Sequence, residues 1–211
     1  MTTKAAAPEA ALRETVLAAV RAFHKVKFAS RPFVPGVTPI PPSGKVFDAS
    51  DVASLVDSGL DFWLTTGRFA ARFERDFARR LGLPHALLVN SGSSANLLAV
   101  SALTAAELGA RRLKLGDEVI STAVSFPTTI NPILQCGAVP VLVDAAAPTY
   151  DALPEHIAAA VTPKTRAIIL AHTLGNPFDV AAVKAIADKH DLWLIEDCCD
   201  ALGARSGGEL V

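Results

Sequence analysis

The sequence predicts an α/β fold: three layers, with a mostly parallel sheet covered by helices on both faces, preceded by a separate N-terminal helix. Three observations predict it. Five short apolar runs, HALLVN, DEVISTAV, AVPVLVDA, TRAIILAHT and LWLIEDCC, have the length of strands. The later runs are separated by segments of helical character, PEHIAAAV and DVAAVKAIADKHD. Most of the runs are continuously apolar rather than alternating, the pattern of strands buried on both faces by crossover helices.

The elements follow in order. Between Glu9 and Phe28 the apolar residues Leu12, Val16, Ala19, Val20 and Phe23 recur at helical spacing, with Arg13, Glu14, Arg21 and Lys25 mostly on the other side. This predicts an amphipathic helix that packs on protein, because its mixed charges do not suit a membrane surface. Pro32, Pro35, Pro39, Pro41 and Pro42 then crowd between Arg31 and Lys45, which excludes a helix and predicts an extended connector. A helix, a turn and a second helix follow Asp48, and the strand-and-helix alternation begins after them. The expected division is therefore 1–47, helix and connector, and 48–211, the sheet domain.

Composition narrows the function. With 211 residues, 51% hydrophobic and 19% charged, the chain can bury one good-sized core. A formal net charge of −1 offers no global field for nucleic acid or an anionic membrane, so any anionic ligand must be bound locally. The N-terminus MTTKAAAPEA lacks the apolar core of a signal peptide, and no window has the roughly 18 apolar residues of a spanning helix. Three cysteines, Cys136, Cys198 and Cys199, make no disulfide framework, and the expected location is the cytosol.

Ligands of parallel sheets sit at the carboxyl ends of the strands. That rule directs attention to SGSSAN, SFPTT, HTLGNP and EDCCD, each just past an apolar run. In NSGSSAN a strand-to-helix turn gathers free backbone N–H groups and hydroxyls at a helix N-terminus, an arrangement that suits an anion and equally suits ordinary capping. Neither GxGxxG nor GxxxxGK[ST] occurs, so dinucleotide and P-loop readings lose support. Asp197 ends LWLIED, where a carboxylate emerging from a buried strand needs a partner; a protonated pyridine nitrogen would supply one. His172 stands at another strand end, a position where packing roles outnumber catalytic ones.

The ordered series PPSGKV, FWLTTGRF, NSGSSANLLA, FPTTINPI, AHTLGNPFD and LIEDCCDALG resembles the DegT/DnrJ/StrS sugar aminotransferases, of aspartate-aminotransferase fold. Within them it is most similar to the CDP-4-keto-6-deoxyglucose 3-dehydrases, the RfbH-type lipopolysaccharide biosynthesis proteins. The resemblance covers nearly the whole chain and implies that residues 48–211 are an incomplete large domain of a pyridoxal-phosphate-dependent transferase. It implies that Gly92 and Ser93 bind the cofactor phosphate, that Phe126 stacks on the pyridine ring and that Asp197 pairs with its nitrogen. Asn176 stands where the aminotransferases usually carry glutamine near the cofactor's 3-hydroxyl, and His172 beside it is a candidate for a catalytic role.

For the dehydrase branch the resemblance implies pyridoxamine phosphate as cofactor and removal of the sugar's C3 hydroxyl. Electrons would come through a [2Fe–2S] cluster, with Cys199 as one ligand, from a partner reductase. The catalytic base, histidine in dehydrases and lysine in aminotransferases, is expected beyond Val211, as are the other cluster cysteines. A homodimer is implied for the full-length protein. Two other readings stay open: a pyridoxal-phosphate sugar aminotransferase, and a non-catalytic remnant that only binds cofactor or partner.

Overall fold

The computed structural model describes residues 6–41 and 43–211, so the first five residues and Pro42 of the connector lie outside it. The chain divides into two compact units, Met1–Ala86 and Leu87–Val211.

The first unit is helical. Helix α1 spans Ala6–Lys27, α2 Ala49–Leu60 and α3 Arg68–Leu81. Asp48 starts α2 through a capping box: its side chain accepts from the Ser50 and Asp51 amides, and the Asp51 carboxylate accepts from the Asp48 amide. Gly82 ends α3 in the left-handed conformation, φ 68°. Helix α1 packs on α2, but not by the side its apolar spacing suggests. Leu12 and Phe23 remain 68% and 61% exposed, while Arg13, Leu17, Val20 and His24 are half-buried. The physical reason is ionic. Arg13 reaches Asp57 and, at 2.8 Å, Asp61, a carboxylate it shares with Arg68 at 2.7 Å, and these pairs set the rotation of α1 against α2.

The second unit is a three-layer sandwich. Strands β1 (Glu118–Thr122), β2 (Val139–Val143), β3 (Thr165–Ala171) and β4 (Trp193–Asp197) form one sheet in the order β2-β1-β3-β4. Every pairing is parallel. The helices are α4 (Gly92–Ala102), α5 (Pro127–Gln135), α6 (Pro154–Ala160) and α7 (Val180–Lys189). Successive residues of one strand feed opposite cores. Ile120, Ile168 and Leu170 pack with Ile157 of α6 and Val183 of α7. Val119, Ala167 and Ile169 pack with Val100 of α4 and Ile133 of α5. This is why the strands read as unbroken apolar runs. A short hairpin, β5 (Arg205–Ser206) and β6 (Glu209–Leu210), follows, turned by Gly207 and Gly208 at positive φ.

Four of the five expected strands form; HALLVN does not. It carries no strand, and Leu87 is 76% exposed. A strand exists only as part of a ladder, and the ladders of this sheet close among β2, β1, β3 and β4 without it.

Candidate functional site

The carboxyl ends of β1, β3 and β4 and the start of α4 surround a cleft of about 450 Å³. Of the residues singled out in the sequence, Gly92, Ser93, Phe126, His172, Asp197 and Cys199 line it; Asn176 does not.

At the head of α4, Ser91 is the N-cap: its hydroxyl accepts from the Ser94 amide at 3.2 Å and its carbonyl from the Ala95 amide at 3.0 Å. The cap leaves the amides of Gly92 and Ser93, the first two of the helix, free of intrahelical acceptors. They face a cleft at the positive end of the helix dipole. A Cβ on Gly92 would meet only the Cys199 sulfur at 3.9 Å, so the protein's own packing does not demand glycine there. Phe126 precedes α5 as its N-cap residue and is 70% exposed. Its aromatic face is open at the cleft, with α5 beginning behind it on Pro127, and is not part of the core. Ser125 beside it has a buried hydroxyl with no partner among the described residues.

Asp197 terminates β4. Its Oδ2 accepts from Asn96 Nδ2 of α4 at 2.8 Å and from Thr129 Oγ1 of α5 at 2.8 Å, and its Oδ1 accepts from the Cys199 amide at 3.2 Å. These two partners were not singled out in the sequence. Asn96 sits inside NSGSSAN one helical turn after Gly92, hence on the same face of α4; that spacing was the available signal. Thr129 lies in SFPTT, a segment marked by its place just past a strand, but nothing there distinguished it from Thr128.

His172 is fully buried, stacked on Phe178 with ring centroids 4.4 Å apart, and its Nε2 lies 3.2 Å from Glu196 Oε2. Its Nδ1 is buried without a partner among the described residues. The next turn is strained. Leu174, 79% exposed at the cleft, adopts φ 55°, and Gly175 adopts φ 81° with room for no side chain.

Asn176 turns away from the cleft lining and donates to Asp151 Oδ2 at 2.9 Å. Asp151 is buried, and burial holds its carboxyl above the ordinary carboxylate range against the opposing bonds from Thr173 and Asn176 and the field of His172. The fold thus favours the protonated acid. Stability is therefore lost as pH rises from the unfolded carboxyl's range through the folded one, and the loss persists above it. Asp151→Asn, uncharged throughout and still an acceptor for Asn176 though no longer for the Thr173 amide, is expected to lessen the fall of the urea midpoint as pH rises above about 4. A variant midpoint that falls more steeply with pH than the parent's would contradict this.

The adjacent thiols differ. Burial, then the charges of Glu196 and Asp197, pushes Cys198 up to about 11, which leaves it protonated and inert at neutral pH. Cys199 is exposed. Among the described residues no group of three or more His, Cys, Asp or Glu side chains is placed to hold a metal.

Known proteins are similar to this chain in sequence and fold. The Salmonella typhimurium lipopolysaccharide biosynthesis protein RfbH is 52% identical over 200 residues, 95% of this chain and 46% of its own length. A dTDP-4-dehydro-2,6-dideoxy-D-glucose 3-dehydratase of Saccharopolyspora spinosa is 54% identical over 198 residues, 94% of this chain and 43% of its own. The solved E. coli GDP-4-keto-6-deoxy-D-mannose 3-dehydratase with bound hydrated PLP superposes with TM-score 0.74 at 34% identity, covering 81% of this chain and 43% of that one. The chain thus spans under half the length of these curated relatives. The model of the DegT/DnrJ/EryC1/StrS aminotransferase family matches residues 45–211, and the chain belongs to that family.

Proposed function

We propose that this chain is the cofactor-binding part of a vitamin-B6-dependent nucleotide-sugar 3-dehydratase, acting on CDP-4-keto-6-deoxyglucose in the formation of 3,6-dideoxyhexoses for lipopolysaccharide O-antigen. The observation that carries the reading is the cleft itself. An anion-binding helix end, an open aromatic face and a strand-end carboxylate with an acceptor to spare lie around one space. That set fits a flat, phosphorylated, nitrogen-bearing ring.

In this reading the amides of Gly92 and Ser93 hold the phosphate at the start of α4. Phe126 covers one face of the ring and excludes water from it. Asp197 accepts the ring N–H and keeps the proton there. Pyridoxamine or pyridoxal phosphate, when so held, supplies an electron sink for bond cleavage at the sugar. His172, in the cleft wall, and Asn176, behind it, flank the β3 turn that carries Leu174 to the cleft.

A [2Fe–2S] cluster needs four ligands, and the described residues do not complete such a site. Cys199 is the exposed thiol at the cleft, placed to give one ligand beside others supplied from outside this chain. A reductase partner, a homodimeric full-length enzyme and a cytosolic location belong to the same proposal; among the described residues no helix is long and apolar enough to cross a membrane.

The family also contains transaminases, and a GDP-perosamine synthase of Vibrio cholerae is 34% identical over 157 residues. The full-length protein given CDP-4-keto-6-deoxyglucose separates the two activities. Loss of the C3 hydroxyl supports the dehydratase; amino transfer from glutamate with that hydroxyl retained overturns it.

A further inference from the structure

The Asp197 carboxylate sits at the end of β4, yet its orientation is set by two other elements. Asn96 of α4 is 8% exposed and Thr129 of α5 is fully buried. Each places a donor 2.8 Å from the same oxygen, Oδ2. A carboxylate oxygen has two in-plane lone pairs, so Oδ2 is saturated. Oδ1 accepts one bond, from the Cys199 amide, and keeps one lone pair. A helical threonine ordinarily returns its hydroxyl to a carbonyl of its own helix. Thr129 instead reaches 68 residues along the chain, and Asn96 reaches 101.

We propose that Asn96 and Thr129 are positioning residues. Together they lock the carboxylate, whose terminal torsion is otherwise broad, so that a single acceptor lobe of Oδ1 meets the nitrogen of the bound ring. The inference rests on the cofactor reading above and adds to it the groups that act through Asp197. Neither side chain touches the ring nitrogen. Their effect is on aim, so it falls on the bond between Asp197 and that nitrogen and spares the phosphate and the stacking face.

The test compares two ligands on the 211-residue chain. Binding of pyridoxamine phosphate and of its analogue with the ring nitrogen replaced by carbon is measured by calorimetry for the parent, Asn96→Ala, Thr129→Val and Thr129→Ser. The parent is expected to prefer the nitrogen ligand. Asn96→Ala and Thr129→Val are each expected to cut that preference by about tenfold, the order of one hydrogen bond to a charged group. Thr129→Ser keeps the hydroxyl and is expected to keep the preference. Variants that weaken both ligands alike, or neither, overturn the clamp while leaving the cofactor reading intact. A parent with no preference overturns the Asp197 reading, and the clamp with it. Asn96→Ala and Thr129→Val lie on different helices, so either one, shown folded by circular dichroism, decides the question.

Discussion

Asp197→Asn is expected to weaken pyridoxamine phosphate binding by about a hundredfold, the order of one well-aligned bond between charged partners. The argument is one of polarity. An amide at this position must present its oxygen to Asn96 and Thr129, which both donate to Oδ2 of the aspartate. Its NH2 group then turns toward the Cys199 amide and the ring N–H, where donor meets donor. The core is kept and the ligand is refused. Asp197→Ala would add a stability loss of about 1–3 kcal/mol for each of the two donors left unpaired in a buried setting. Calorimetric titration with pyridoxamine phosphate, beside thermal melts, separates the two effects. Unchanged binding in the asparagine variant would show that the ring nitrogen does not sit at Oδ1.

Gly175→Ala is expected to lower stability by at least about 2 kcal/mol, a fall in Tm of roughly 5 °C or more for a chain of this size. Two costs add. The residue adopts φ 81°, where a side chain is strained, and a Cβ there would lie 2.7 Å from the Asp200 carbonyl oxygen. That neighbour is backbone and cannot swing aside. Because Gly175 follows the strained Leu174 at the cleft, and Asp200 itself lines the cleft, the shift that relieves the overlap also deforms the site. Cofactor binding should weaken together with Tm. An alanine variant that melts with the parent would mean that the turn repositions at little cost.

The contrast between what was legible in the sequence and what was not follows the range of each interaction. β1 and β3 could be read because burial on both faces writes itself into consecutive residues, and the edge strands β2 and β4 because they carry the same apolar run although partly exposed. The strand-end rule directed attention to SGSSAN, SFPTT, HTLGNP and EDCCD, the resemblance named Gly92, Ser93, Phe126 and Asp197 within them, and the structure places these four around one cleft. HALLVN misled because an apolar run records only a wish to be buried and does not name a ladder partner. The face of α1 misled for a related reason: Leu12 and Phe23 have helical spacing, yet the rotation of the helix answers to Arg13 and two carboxylates on α2. Asn176 was assigned to the cofactor by its place in GNP, whereas the structure gives its amide to Asp151, a loop residue that no local pattern marks. Asn96 and Thr129 owe their importance to a carboxylate 101 and 68 residues away, and short-range patterns carry no trace of that distance.

Those separations also dictate an order of events. α4 and α5 can form from local sequence, but the grip on Asp197 cannot exist until β4 has docked alongside β3, after the intervening crossovers have been threaded. The grip on Asp197 is thus acquired only with the pairing of β3 and β4. A ligand that demands Asp197 in place discriminates finished molecules from unfinished ones, and by mass action it draws the population toward the finished state.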